Sequence, residues 1–293
     1  MSQGRFPAPP VAPDGFVAMP ADLPQHARER LVAMRQRHLF TSDLSVNEFL
    51  LVKEAGFDPL GLVMGSSVYQ MRPNVPQLSF GELGTEVAWM SHALWHSRQL
   101  AMTRMEEEAD QLGADGIVGV RLEVNLHAFG KGILEFMAVG TAVKHREGGN
   151  FRNRHGKPFQ SDLTGQELWT LVKAGYRPVG FCMGNCVAYV PPETLGMVAG
   201  GNQELAGYTH VLYDARELAI GRLQYEAETL GAEGIVGVTI EEKEHSWGGG
   251  GRFDGNAALY TGELLELFVV GTAVVRYGDG ALPPVTLVVP LDR

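Results

Sequence analysis

The spacing of hydrophobic side chains changes between helix-like and strand-like in the same order in both halves of this chain. In the first half a short helical pattern ends at Gly56, and a strand-like run follows over residues 60–71. Apolar side chains then recur every three or four positions as far as Gly113, before strand-like runs at residues 116–126 and 133–144. The second half repeats this series, with strand-like runs at residues 179–190, 234–242 and 264–277 and a long helical pattern that ends at Gly231.

The two halves also share stretches of nearly identical sequence. Residues 112–120 read LGADGIVGV, and residues 230–238 read LGAEGIVGV. The tripeptide SDL begins at Ser42 and again at Ser161, and the matching stretches keep the same order in each half. The chain is therefore a tandem duplication, and each candidate site can be compared with its counterpart in the other copy.

Each repeat predicts an α+β unit of the order β-α-β-β, in which one long helix covers one face of a small antiparallel sheet in two layers. A short helix precedes each unit, with Ser45 and Glu48 as a capping box in the first unit and Thr164 and Glu167 in the second. The predicted division is a Pro-rich N-terminal tail and helix at 1–40, a first unit at 41–147, a linker at 148–160, a second unit at 161–280 and a C-terminal tail at 281–293.

Composition argues against several classes of protein. Of the 293 residues, 45% are hydrophobic and 20% are charged, which is typical of a soluble globular protein. A formal net charge of -10 without a cluster of Lys and Arg argues against a nucleic-acid-binding surface, and the most basic run, residues 144–157, is interpreted as a solvated linker. No stretch approaches the ~18 apolar residues of a membrane span, and the N-terminus does not read as a signal peptide. With only two cysteines, we expect a cytoplasmic protein.

The order and spacing of these motifs resemble those of one family. The shared nine residues after the long helix, the VGTAV stretches that begin at Val139 and Val270, and the Met-Gly dipeptides at Met64 and Met183 are similar to the YbjQ-like heavy-metal-binding family. The resemblance covers most of residues 58–145 and 177–277. It implies a dodecin-subunit-like α+β fold and assembly into homopentamers. Most members look like single domains, so the duplication and the N-terminal helices depart from the family's commonest pattern.

Polar residues on the long helices are the main candidates for a metal site. His92 and His96 are four residues apart and face one side of the first helix, and their counterparts are His210 and Asp214. Each pair would supply half of a site for a divalent ion, completed by another chain or helix. The alternative is a pair of polar residues on a half-exposed helix face, since no third ligand is near in the sequence.

The two cysteines are a weaker candidate for a metal site. Cys182 and Cys186 could hold a soft metal together with Met183. Both cysteines lie in a predicted strand, however, where residues four apart are separated by ~13 Å, too far to share one ion without a turn. We therefore interpret them as small buried apolar groups.

The remaining matched residues are interpreted as structural. His127 and His245 match at a strand end and are interpreted as loop caps, and residues 248–251 as a flexible glycine-rich loop tip rather than a phosphate site. Arg104 with Glu108, and Arg222 with Glu226, are expected to stabilise their helices or to form ion pairs between subunits. No nucleophile–base pair, phosphate loop or dinucleotide motif is apparent in the sequence, which favours a binding or assembly protein over an enzyme.

Assembly is the leading functional hypothesis. We expect a homo-oligomer whose subunits pair by sheet edges, because short sheets leave edges that need covering. The other hypotheses are binding of a divalent or soft metal, a small-molecule site between subunits of the dodecin type, and a scaffold without a ligand. A ring of five units cannot be built from chains that place two units side by side. The prediction is therefore a pentamer of two stacked rings, one for each kind of unit, in preference to a ring with an even number of units or a copy that no longer forms rings.

Overall fold

The computed structural model describes residues 7–10, 22–37, 40–70, 86–126, 133–148, 151–190, 204–248 and 261–280. The helices are α1 (Gln25–Arg37), α2 (Val46–Glu54), α3 (Ala88–Leu112), α4 (Gly165–Lys173) and α5 (Ala206–Leu230). The strands are β1 (Phe57–Gln70), β2 (Gly116–Leu126), β3 (Ile133–His145), β4 (Phe159–Gln160), β5 (Tyr176–Val190), β6 (Gly234–Gly248) and β7 (Thr261–Arg276).

Two sheets carry the two repeats. The first has the strand order β1-β3-β2-β4 and the second β5-β7-β6. All of these pairs are antiparallel except β2–β4, which is parallel. Helices α3 and α5 cover the sheets of unit 1 (residues 41–147) and unit 2 (residues 161–280) respectively. The predicted α+β class with two β-α-β-β units and short N-terminal helices is confirmed.

The predicted helix ends are confirmed at the level of individual hydrogen bonds. The hydroxyl groups of Ser45 and Thr164 accept from the backbone N–H groups of Glu48 and Glu167, whose carboxylates accept from the cap residues in return. Helices α3 and α5 both end on glycines in the left-handed conformation, Gly113 with φ 77° and Gly231 with φ 72°. These signals are local in sequence, so they form the same structure in both copies.

Small residues bring each long helix close to its sheet. A methyl group on Gly65 would lie 2.0 Å from the carbonyl oxygen of Ala101, and one on Gly184 would lie 1.8 Å from that of Ala219. Both alanines are fully buried. The helix backbone therefore rests directly on β1 and on β5, where a larger side chain would push it away.

The interpretation of residues 144–157 as a solvated linker holds only in part, because residues 146–148 and 154–156 are exposed whereas Phe151 is buried. Phe151 and Phe159 are buried, and Arg152 donates to the Asp110 carboxylate at 2.7 Å and to the Ala114 carbonyl at 2.7 Å. Residues 159–160 then form β4, which pairs in parallel with the start of β2. Because these aromatic side chains fill a core between the units, the connection is a structural element of the protein.

The second sheet lies between α5 and unit 1. Cys182 and Cys186 pack in the core beneath α5, whereas Met183 and Val187, on the same strand, pack in the core that contains α3 of unit 1. The two units are therefore joined through a shared hydrophobic core, and α3 contacts β5 as well as its own sheet.

Candidate assembly interface

The structure brings the predicted histidine pair together but does not complete a metal site. The rings of His92 and His96 stack with their centroids 6.0 Å apart and their planes 5° apart, and His92 is buried. Two imidazoles supply at most two of the three or four protein ligands that zinc sites use. Within the described ranges, no group of three His, Cys, Asp or Glu side chains is arranged to hold a metal. The residues in this arrangement therefore do not fit a preformed metal centre.

The counterpart pair has a different environment. His210 Nδ1 lies 2.9 Å from Asp214 Oδ2, and both side chains are well exposed. An exposed pair of this kind contributes little to stability. His127 lies outside the described residues, as do residues 249–251, and only the backbone of His245 is described.

Burial controls the charge of the two imidazoles on α3. Burial lowers the pKa of both His92 and His96, and the neighbouring His96 lowers the pKa of His92 further. Both rings therefore favour the neutral form in the folded protein.

This shift predicts a pH dependence of stability. An unfolded histidine has a pKa of about 6.5, so as the pH falls below that value the unfolded chain takes up protons that the folded chain resists. The free energy of unfolding should therefore fall from pH about 7.5 to about 5.5. Denaturant titrations should show a smaller fall in His92→Gln, and an unchanged fall in the control His210→Gln, whose side chain is exposed. Equal pH slopes for wild type and His92→Gln would contradict the assignment.

The cysteines are buried thiols, as interpreted from the sequence. Cys182 and Cys186 are both buried, and burial raises the pKa of each thiol to about 12. Met183, the third member of the soft-metal hypothesis, packs in a different core on the other side of the sheet. The three sulfur atoms therefore do not converge on one ion.

A buried ion pair joins the units where α3 meets α5. Arg98 donates to the Glu226 carboxylate at 2.6 Å, and the Trp95 indole donates to the same oxygen at 3.0 Å. The other Glu226 oxygen accepts from the backbone N–H of Met183 on β5, at 2.8 Å. The predicted pairing of Arg222 with Glu226 along one helix is therefore wrong, because Glu226 instead binds groups of the other unit and of its own sheet edge.

The first residues of α3 and those just before them cover the free edge of β5. The Val187 carbonyl accepts from the Val87 backbone N–H at 2.7 Å, and the Val187 N–H donates to the Ser91 hydroxyl at 2.9 Å. Arg222 donates to the Asn185 carbonyl at 2.8 Å and forms a bidentate pair with Glu86. Because β5 is an edge strand, its outer backbone groups have no neighbouring strand to bind. Unit 1 therefore supplies their hydrogen-bond partners. We name this part of the interface the helix contact.

The free edge of β2 is covered in turn by residues 158–163, which lead into unit 2 and which we name arm 2. The Ser161 N–H donates to the Ile117 carbonyl at 3.0 Å, and the Ser161 carbonyl accepts from the Val120 N–H at 2.9 Å. The Leu163 carbonyl accepts from the Gly119 N–H at 3.1 Å. The two units thus exchange segments, since unit 1 gives a helix end and receives an arm.

The counterparts of these contact residues are exposed. Val187 of β5 is 1% exposed, but its counterpart Val68 of β1 is 64% exposed. Tyr213, the counterpart of Trp95, is 58% exposed. Arg30 of α1 binds the carbonyl of Leu62 and the carboxylate of Glu108, so α1 supplies on unit 1 the charged partner that Arg98 supplies to Glu226 on unit 2. Most of the large exposed apolar side chains of the described ranges lie at counterparts of interface residues or directly beside them, and Val32 and Tyr277 are the exceptions. The others are Phe40, Val46, Leu50, Met64, Val68, Leu205, Tyr213, Val238 and Ile240.

No finding tests the predicted stacked rings, which stay a prediction, but the contact inside the chain differs from the contacts that they assume. That arrangement assumed that each unit meets only its own kind, whereas the segment exchange joins unit 1 to unit 2 inside one chain. The two units of one chain lie side by side. A ring of five units cannot be built from such chains, because each chain adds two units and five is odd.

A small groove lies between the two sheets. It has a volume of about 190 Å³ and is lined by apolar side chains such as Val120, Phe181 and Phe268, with Asp162 and Lys243 at its polar side. Burial raises the pKa of Asp162, whose carboxylate accepts from the Thr272 hydroxyl. The groove is smaller than the ~300 Å³ at which small-molecule pockets begin. It therefore offers little support for a site of the dodecin type within one chain.

None of the described helices is long and apolar enough to cross a membrane.

Comparison with known proteins places the repeats in one family. The family model described as "Putative heavy-metal-binding" matches residues 60–146 and again residues 192–276. The encapsulin nanocompartment protein Rv1762c of Mycobacterium tuberculosis is 43% identical over 258 residues, which are 86% of this chain and 92% of that protein. UPF0145 proteins of Methanococcus maripaludis and Halalkalibacterium halodurans are 36% and 37% identical over 29% and 30% of this chain, covering 76% and 83% of their own lengths. The chain therefore belongs to the YbjQ family, of which it contains two tandem copies.

Proposed function

We propose that this chain is a non-enzymatic subunit of a protein compartment, which assembles by repeating between chains the contact that joins its own two units. The observation that carries the proposal is the contrast between counterparts. Val187 and Trp95 pack in the contact between the units, while Val68 and Tyr213 are largely exposed. The relative from Mycobacterium tuberculosis, named as an encapsulin nanocompartment protein, supports an assembly role because it matches this chain over both repeats.

Repetition of the contact gives a closed ring. The helix contact is heterologous, because one surface binds a different surface, and such contacts generate rings when the rotation closes. In this ring first and second units alternate. Each chain contributes two adjacent units, so the number of units is even. We propose the alternating ring beside the stacked arrangement because it uses the contact already present in the chain.

The proposal predicts an oligomer at working concentration. Light scattering at about 5 µM should give the mass of two or more chains of 31.8 kDa each. Tyr213→Asp should reduce that mass to a single chain, because it places a charge at the counterpart of Trp95, which packs half-buried in the internal contact. Val32→Asp, an equally exposed site on α1, is the matched control and should leave the mass unchanged. A monomeric wild type would overturn the proposal.

Metal binding is a second proposal, which rests on the family description and on the adjacent imidazoles of α3, of which His92 is buried. Another chain would have to supply the remaining ligands. Calorimetric titration with Zn²⁺ should then show saturable uptake that is lost in His92→Ala and retained in His210→Ala. Identical titrations of wild type and His92→Ala would remove this candidate.

A further inference from the structure

The shared GIVGV stretch has opposite environments in the two units. In unit 1, Ile117 and Val118 are fully buried and Val120 is 4% exposed. In unit 2, Val238, the counterpart of Val120, is 47% exposed, and Ile240 beyond it is 50% exposed. Identical residues have identical propensities, so the difference comes from what lies beside them. An apolar edge strand exposed in this way is typical of a surface that binds another segment.

In unit 1 the covering segment is arm 2, and its Phe159 fits a space that only glycine leaves. A methyl group on Gly116 would lie 2.1 Å from the Phe159 ring. Phe159 is fully buried and pairs with Gly116 in the parallel β2–β4 ladder. The counterpart Gly234 lies on an edge strand, and the one described side chain that its added methyl group would meet is Val274, at 3.8 Å. Among the described residues, none fills the space for a ring over Gly234.

The chain contains a second copy of the covering segment, residues 39–44, of which residues 40–44 are described; we name it arm 1. It reads LFTSDL, and arm 2 reads PFQSDL. Phe40, the counterpart of Phe159, is 45% exposed. Arm 1 thus carries the aromatic side chain that matches the space over Gly234.

Arm 1 makes hydrogen bonds to its own unit like those of arm 2, and its Phe40 ring stacks on Phe49. The Ser42 hydroxyl lies 3.0 Å from that of Thr141, as Ser161 lies 2.9 Å from Thr272. The Thr141 hydroxyl also donates to Asp43 at 2.6 Å. A segment fixed in this way loses little conformational entropy on binding, which favours association.

Arm 1 and the open edge belong to opposite units. Arm 1 is bonded to unit 1, whereas β6 belongs to unit 2, and the neighbour of unit 1 inside the chain presents its own arm to β2 instead. The occupant with matching sequence and shape is therefore the arm of a second copy.

We infer that arm 1 of one chain pairs in parallel with β6 of the next chain, placing Phe40 opposite Gly234 and Thr41 opposite Ile235. This inference deepens the proposed function and rests on it for the identity of the partner. The pairing copies the register of Phe159 with Gly116 and of Gln160 with Ile117. It is a case of β-strand addition, in which backbone hydrogen bonds give affinity and one aromatic side chain gives specificity. On unit 1 of that neighbour, Glu108, the counterpart of Glu226, is already bound by Arg30 of α1, so the inference concerns arm 1 and β6 alone.

Two single substitutions test the pairing from opposite sides. Phe40→Ala removes the ring, and Gly234→Ala fills the space that the ring would occupy. Both variants should remain folded, and light scattering should give the mass of a single chain. Gly278→Ala is the control, because an added methyl group there meets nothing within 4 Å among the described residues. Oligomers of wild-type mass in both variants would overturn the inference and leave the proposed function standing, whereas a monomeric wild type would overturn both.

Cross-linking provides a test that does not depend on the folding of those variants. In the double variant Phe40→Cys with Gly234→Cys, the thiols should meet across chains and form disulfide-linked multimers in air, while each single variant should not form this ladder. The native thiols of Cys182 and Cys186 are buried and should not react. Cross-links within single chains only, or none, would overturn the pairing. Capture of a different protein on β6, with no copy of this chain, would do so as well.

Discussion

Replacing Arg98 with alanine is expected to lower the free energy of unfolding by about 3 kcal/mol, because it leaves the Glu226 carboxylate without its charged partner inside the contact between the units. The Arg98 side chain is 2% exposed and that of Glu226 is 14% exposed, so water cannot replace the lost guanidinium. Trp95 would remain a donor to Glu226, but it carries no charge.

The second copy supplies the matched control for this substitution. Arg216 is the counterpart of Arg98, but its side chain is 37% exposed and lies 3.4 Å from the Glu242 carboxylate. Arg216→Ala should change the free energy of unfolding of the isolated chain by less than about 0.5 kcal/mol. Denaturant titrations at a concentration below that of assembly would compare the two variants. Equal losses would show that Arg98 does not hold the units together.

Replacing Gly184 with alanine is expected to destabilise unit 2 by roughly 3 kcal/mol. The added methyl group would lie 1.8 Å from the Ala219 carbonyl oxygen and 2.8 Å from the Leu223 backbone nitrogen, so α5 would have to move away from β5. Backbone atoms in the middle of a helix cannot shift one at a time, and the core beneath α5 would open with them.

Thermal unfolding would measure this effect, with an expected fall in Tm of about 6 °C. Gly278→Ala is again the control, since it has open space in the described part of the chain. Gly65→Ala should reproduce the loss in unit 1, where the methyl group would lie 2.0 Å from the Ala101 carbonyl oxygen. A stable Gly184→Ala protein would mean that the long helix does not rest on the strand as closely as described.

The fold was predictable where its causes are local in sequence. The capping boxes at Ser45 and Thr164, and the glycines that end the long helices, depend on residues within one turn of each other. Strand positions followed from hydrophobic periodicity, although β6 continues to Gly248, beyond the predicted end at residue 242. The duplication increased the reliability of these predictions because each signal occurs twice.

The interface was not predictable in the same way, because its causes are distant in sequence. Arg222 binds Glu86 and Asn185, and Glu226 binds Arg98, although spacing along the helix favoured Arg222 with Glu226. Burial of Phe151 and Phe159 within a polar, glycine-containing stretch depends on a core formed by both units. The one available signal was the presence of these two aromatic residues, which do not fit the pattern of a solvated linker.

The candidate histidines show how far a sequence pattern can go. A spacing of four placed His92 and His96 on one side of α3, and they do lie together. Their stacking and burial could not be predicted, because these depend on neighbouring side chains such as Trp95 and Tyr69. The same spacing in His210 and Asp214 gives an exposed pair with a different role.

Hydrogen exchange at the shared GIVGV stretch tests the repeated contact most directly. In unit 1 the amides of Gly119 and Val120 donate to arm 2, so they should exchange slowly at every protein concentration. The amides of Gly237 and Val238 should exchange quickly in dilute wild-type protein and become protected as the concentration rises, and Phe40→Ala should abolish that change. Protection of Gly237 and Val238 that is independent of concentration and of Phe40 would contradict assembly by repetition of the internal contact.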